Sequence, residues 1–184
     1  MKTIICEKVP RIIKNKKKLE EILNIKITYE GKEVTIDGTA ENEYDATKVI
    51  DALNFGFSYS SAISIKKEEK LFEILNIKDY TNKSNLEIIR GRVIGKGGKA
   101  LKTLSQLTNC DLELKNNEIG IIGEPEDLKR AIEAFIEIIQ GSKHSNVYKG
   151  LEKNQPKPIE DLGLREEKKP VTMEEFEKRL KEKE

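Results

Sequence analysis

The chain contains one small unit twice, and this repeat constrains its fold more than any other feature. Ile27–Gly38 aligns without gaps on Leu112–Gly123. Each copy reads as a strand, a tight polar turn (Glu30-Gly31-Lys32; Lys115-Asn116-Asn117), a second strand and a closing glycine. Each then enters a helix with acids in its first turn, over 41–53 in the first copy and 125–140 in the second. Pro125 suits a first helical turn. Leu128, Ile132, Phe135, Ile136 and Ile139 recur at helical spacing and form one apolar face.

The likeness continues upstream more weakly. Ile12-Ile13, then Lys14–Lys18, then a helix over 19–23 correspond to Val93-Ile94, then Gly95–Gly98, then a helix through Leu101, Leu104 and Leu107. Strands are expected before each, at 3–9 and 71–77. The order predicted for both copies is strand, helix, turn, helix, strand, strand, helix. A boundary falls around 57–70, which divides the chain into 1–70, 71–150 and a tail, 151–184. The tail's 34 residues hold nine cations, ten acids and three prolines, the composition of a solvated segment. Within it Thr172 to Glu175 has capping-box spacing after Pro170. Met173, Phe176 and Leu180 then share a face, so a short conditional helix is expected there.

Composition narrows the chemistry. Hydrophobic and charged residues each make up 36% of 184 residues, which suits several small cores or an unpacked tail better than one large core. Net charge is +1, so only the distribution of charge along the chain can point to a partner. No apolar run approaches the roughly 18 residues that span a bilayer, and the start lacks a signal-peptide core, so no membrane association is expected. Two cysteines and one histidine supply neither a disulfide framework nor a zinc site. A reduced, cytoplasmic setting follows, with Cys6 and Cys110 as buried small hydrophobes near strand starts. No metal, cofactor or catalytic residue is expected.

The informative segment is Arg90-Gly91-Arg92-Val93-Ile94-Gly95-Lys96-Gly97-Gly98-Lys99-Ala100-Leu101. From Lys78 to Lys102 there are seven cations against two acids. Glycines just before a helix let a backbone approach a ligand, and the helix's free N–H groups favour an anion, so phosphate binding is indicated. A Walker A loop fails, because three residues rather than four separate Gly91 from Gly95 and Gly97 follows Lys96. Gly95, Gly97 and Ala100 satisfy the dinucleotide pattern G-x-G-x-x-A, with Asp111 and Glu113 as ribose acids, but no further βαβ units follow. The G-x-x-G loop of a KH domain requires an aliphatic pair, the loop and a helix, which Val93-Ile94 and Gly95–Gly98 supply. The predicted element order then gives an α+β fold of two tandem type I KH domains (β-α-α-β-β-α). The first is degenerate, because Lys14-Asn15-Lys16-Lys17 lacks both glycines.

Over residues 2–155 the sequence resembles the archaeal Dim-two-like KH proteins, also called partner-of-Nob proteins. The resemblance rests on 88–99, on Ile121-Ile122-Gly123-Glu124-Pro125 and on Gly141-Ser142-Lys143-His144-Ser145-Asn146-Val147-Tyr148. It implies a binding protein, not an enzyme, that recognises the 3′ region of small-subunit (pre-)rRNA during ribosome assembly. The implied protein partners are the rRNA-maturing endonuclease and other ribosome-assembly or translation-initiation factors. Alternatives are a general single-stranded RNA adaptor, for instance in decay, and a nucleotide-dependent enzyme.

Arg90, Arg92, Lys96, Lys99 and Lys102 are candidate phosphate contacts beside the loop residues Gly95, Gly97 and Gly98. Ile94, Leu101 and Leu112 are candidates for the floor of a groove that takes unstacked bases on aliphatic side chains. The resemblance adds His144 and Tyr148, just past the last predicted helix, as RNA contacts.

Overall fold

A computed structural model describes residues 1–153, and in it the two hairpins lie in separate three-stranded antiparallel sheets. The first consists of β1 (Lys2–Ile5), β2 (Lys26–Glu30) and β3 (Glu33–Asp37), ordered β1-β3-β2. The second consists of β4 (Leu71–Asn76), β5 (Asp111–Lys115) and β6 (Glu118–Gly123), in the matching order β4-β6-β5. In both, an upstream strand pairs with the second hairpin strand, with Ile4 opposite Val34 and Leu75 opposite Ile119. The hairpin turns place Gly31 and Asn116 at φ 59° and 56°, the left-handed geometry such turns favour.

The first sheet carries α1 (Val9–Leu23), α2 (Ala40–Phe55) and α3 (Tyr59–Lys67). α1 is one helix of 15 residues, and the turn expected at Lys14–Lys18 is its middle. None of those residues is a glycine, so nothing there favours the positive φ that a break needs, and lysine is a good helix former. α1 buries Val9, Ile12, Leu19 and Leu23 and leaves Lys14, Lys17 and Lys18 exposed. The stretch expected as a boundary is filled by α3, whose N-cap hydroxyl on Ser58 accepts the Ser61 N–H at 3.1 Å. The helix expected after Pro170 lies outside the described residues.

In the second module β4 leads through a short 3₁₀ turn (Ile77–Tyr80) to α4 (Leu86–Ile94) and α5 (Lys99–Thr108). After the hairpin come α6 (Pro125–Gln140), as its periodicity predicts, and a further helix, α7 (His144–Lys153). His144 and Tyr148 therefore lie on a helix of their own. The flanking strands are antiparallel, so the dinucleotide alternative, which needs a parallel βαβ unit, does not hold. Leu104, Ile119, Ile121, Phe135, Ile138 and Val147 form the centre of this module's core.

Strand alternation on β6 joins the modules. Ile119 and Ile121 face the second module's helices, whereas Ile122 lies with Phe72 in the first module's core. Gly120 is where that junction is tightest, because an added Cβ would come within 2.7 Å of both Phe55 and Phe57. The Phe55, Phe57 and Phe72 rings sit 5.8–6.1 Å apart. At the same seam α1 and α2 cap each other. The Asn54 Oδ1 accepts the N–H groups of Glu7 (2.7 Å) and Lys8 (3.1 Å) at the start of α1. In return Lys8 Nζ donates to Phe55 O at 2.8 Å, and Arg11 donates to Gly56 O and Phe57 O. Two cations at a helix C-terminus also complement its dipole.

Cys6 follows β1 and Cys110 precedes β5; both are buried, and burial pushes each thiol up to about 11. Among the described residues no helix is long and apolar enough to cross a membrane.

Candidate nucleic-acid interface

The site begins where α4 stops. Gly95 donates its N–H to Gly91 O at 2.8 Å and then adopts φ 72°, ψ 175°, a region open essentially to glycine alone. A Cβ there would lie 2.5 Å from the Ala100 Cβ and 2.9 Å from the Ala100 backbone N, so glycine is required on two grounds. Gly97 and Gly98 follow at φ 62° and 76°, and an added Cβ at either would meet nothing within 4 Å. The chain thus makes a tight outward loop and re-enters a helix at Lys99. No acid occupies the first turn of α5 and no side chain caps it; the Lys99 N–H donates to Lys96 O, and the N–H groups that follow have no intrahelical partner, an arrangement that favours an anion.

Charge is arranged around this point. Lys96, Lys99 and Lys102 are exposed and Arg90 is half-exposed. None of the four has an ion-pair partner among the described residues. Ile94 on α4, Leu101 on α5 and Leu112 on β5 are each half-buried. Their elements adjoin one another, and Leu101 and Leu112 pack against the second core with one side left accessible. Two concavities, one lined by Tyr44, Lys48 and Phe72 and another by Lys70, Glu124 and Asp127, lie away from the loop. The loop is an open face, suited to an extended strand rather than an enclosed small molecule.

Two predicted contacts occupy different positions from the rest. Arg92 is turned inward, its Nη2 donating to Ser142 O at 2.7 Å and its Nε buried without a hydrogen-bond partner. His144 Nε2 lies 3.0 Å from Arg92 O, and its ring meets Tyr148 edge-on at 5.9 Å. Burial raises the Tyr148 phenol above its ordinary value. Gly91 is a feature that sequence reasoning passed over: it is exposed, mid-helix, and a Cβ would meet nothing within 4 Å. A glycine costs an exposed helix roughly 1 kcal/mol, so a glycine inside a helical pattern was the available signal of an open surface beside the loop.

A type I KH domain is the class this arrangement defines, and residues 71–156 match the profile of the second KH domain of the PNO1 type, described as a eukaryotic-type KH domain (KH-domain type I). A KH domain-containing protein of Methanocaldococcus jannaschii is 31% identical over 149 residues, covering 77% of this chain and 66% of the relative. The pre-rRNA-processing protein pno1 of Aspergillus fumigatus is 31% identical over 108 residues, covering 56% of this chain and 43% of its own length. This chain thus spans less than half of that curated relative. Among solved structures, an a/eIF2alpha-aDim2p-rRNA complex from Pyrococcus horikoshii OT3 matches with a TM-score of 0.73 at 26% identity, over 83% of this chain and 92% of that one. The chain belongs to the PNO1/Dim2 family of KH-domain proteins.

Proposed function

We propose that this protein binds single-stranded RNA at the Gly95–Gly98 loop and serves as a non-enzymatic, cytoplasmic assembly or maturation factor for the small ribosomal subunit. The observation that carries the reading is the loop itself: successive glycines at positive φ, open to solvent, ringed by cations without ion-pair partners among the described residues and leading into a helix without a side-chain cap. Residues 71–150 supply the binding face, with Lys96, Lys99, Lys102 and Arg90 on phosphates. Ile94, Leu101 and Leu112 lie under about four unstacked bases. Residues 1–70 brace that module from behind, and 151–184 is a charged extension.

The substrate in this reading is the 3′ region of small-subunit precursor rRNA. Relatives named for pre-rRNA processing, and a neighbour crystallised with rRNA, support it. A groove for a few nucleotides cannot select one transcript, so added contacts from α1, from Lys143 and Lys149 and from bound factors raise effective concentration on the correct strand. The protein then controls cleavage by holding the strand for, or away from, the maturing endonuclease.

The test is cleavage of a precursor-spanning RNA by that nuclease with wild type, with the Lys96→Asp/Gly97→Asp variant and with no protein. Gly97 has open space beyond its Cα, and aspartate tolerates the left-handed φ of 62° better than most side chains, so the variant places negative charge where phosphate belongs at a modest backbone cost, and circular dichroism checks that it stays folded. A shift in cleavage rate or position that the variant abolishes is expected. Identical cleavage in all three sinks the mechanism, and cellular crosslinks spread over unrelated messages favour the general adaptor.

A further inference from the structure

The break in α4 leaves its last carbonyls without the partners a continuing helix would supply. In an unbroken helix Arg92 O would accept the N–H of Lys96, four residues on. Gly95 instead sends the chain out of the helical path at ψ 175°. Arg92 O is taken by His144 Nε2 at 3.0 Å, from the first residue of α7. The contact is reciprocal, because the Arg92 side chain returns to Ser142 O at 2.7 Å, in the turn just before α7. α7 has its own anchors in the second core, Val147 and Leu151, and packs on α5 and α6. His144 is therefore held in place independently of the loop.

We infer that His144 and Arg92 are positioning residues of the Gly95–Gly98 loop: by occupying Arg92 O and tying it to the α6–α7 turn, they prevent α4 from winding onward through Lys96. The competing state is visible in the same molecule, where α1 runs uninterrupted through the corresponding Lys14–Lys18 stretch. Glycine makes the break sterically allowed, and the His144 N–H removes the hydrogen bond that would undo it. The role differs from phosphate contact, since Arg92 points inward and His144 donates to backbone. The inference rests on the RNA-binding reading of the loop, and its test includes an arm without RNA.

Full-length wild type, His144→Ala and His144→Gln are compared by amide exchange and amide chemical shifts over 95–99, and by titration with a short single-stranded RNA at several salt concentrations. In His144→Ala the Lys96 and Gly97 amides shift, and Lys96 gains exchange protection as it reaches Arg92 O. RNA binding weakens by roughly tenfold, the loss of one half-buried hydrogen bond. The salt slope is unchanged because no phosphate contact is lost. Glutamine offers an N–H to the same carbonyl and restores most of the affinity. Unchanged loop amides in His144→Ala, or a salt slope reduced by about one, overturns the inference. So does a glutamine variant no better than alanine. Wild type that ignores RNA while its alanine variant still shifts the loop amides supports the positioning role and refutes the RNA reading alone.

Discussion

Arg11–Lys18 in the first module and Arg90–Lys102 in the second occupy equivalent places in two β-sheet units, and both carry a large excess of positive charge. They nevertheless present that charge differently. In the first, the chain stays helical; Arg11 is turned onto the carbonyls of Gly56 and Phe57, and Lys16 lies 3.8 Å from Glu20 on the next turn. In the second, glycines interrupt the helix, and Lys96, Lys99 and Lys102 ring the open loop without ion-pair partners among the described residues. Similar charge density is therefore divided in one place between bracing (Arg11, Lys16) and an exposed helical face (Lys14, Lys17, Lys18), and in the other surrounds an open loop. What separates the two is backbone conformation, which exposes N–H groups at one site and satisfies them at the other.

Gly95→Ala should break the contrast most completely. Its φ 72°, ψ 175° is closed to alanine, and its Cβ would collide with Ala100, so α4 and α5 must shift or join. RNA affinity is expected to fall by more than about a hundredfold, with about 2–3 kcal/mol lost from stability. Thermal denaturation and RNA titration on the same sample check both. A variant that keeps wild-type binding would mean that the loop geometry is irrelevant to recognition.

The converse experiment separates bracing cations from exposed ones. Arg11→Ala removes the pairing of the α2 C-terminal carbonyls, and an unfolding free energy lower by about 1 kcal/mol is expected. RNA affinity should stay within about twofold, because the guanidinium is already held by the carbonyls of Gly56 and Phe57. Replacing the exposed Lys14, Lys17 and Lys18 by glutamine should do the opposite, leaving stability alone and lowering the salt slope of RNA binding. Should Arg11→Ala weaken RNA binding as much as the lysine replacement, the division between the two sets fails.

Much of this was legible in the sequence because short-range chemistry fixes it. The hairpins follow from polar turns between alternating strands, α6 from its apolar period and Pro125, and the loop from glycine spacing. The uninterrupted α1 was misjudged because alignment to the second copy imposed a turn on residues whose own propensity is helical. α3 was hidden by a serine-rich start that reads as linker, although Ser58 and its neighbours cap a helix whose apolar face meets α2 and β6. The inward turn of Arg92 was not legible at all. It depends on Ser142 and His144, 50 and 52 residues away in sequence, and nothing local distinguishes Arg92 from Arg90.

The smallest expected effect lies at the seam between the two regions. Lys115 Nζ, at the end of β5, meets Glu7 Oε2 at 2.7 Å just before α1. The hydrogen bond and charge of Lys115 hold the Glu7 carboxyl below its ordinary value, with Lys32 and Lys8 adding to the effect. A carboxyl whose folded-state pKa is depressed stabilises the fold above its unfolded pKa, and that contribution fades as pH falls through the folded value. The window for Glu7 therefore lies at and below the usual glutamate range near 4.3. Because Glu7 is exposed, solvent and salt screen the pair. Glu7→Gln should thus lower the melting temperature slightly at neutral pH and low salt. The difference from wild type should shrink both at acid pH and at high salt. RNA binding should not change, because neither Glu7 nor Lys115 is among the residues that ring the Gly95–Gly98 loop. A melting difference that persists unchanged from neutral to acid pH would mean that the Glu7 carboxylate contributes through packing and not through its charge. The ion pair would then have no part in joining the two modules.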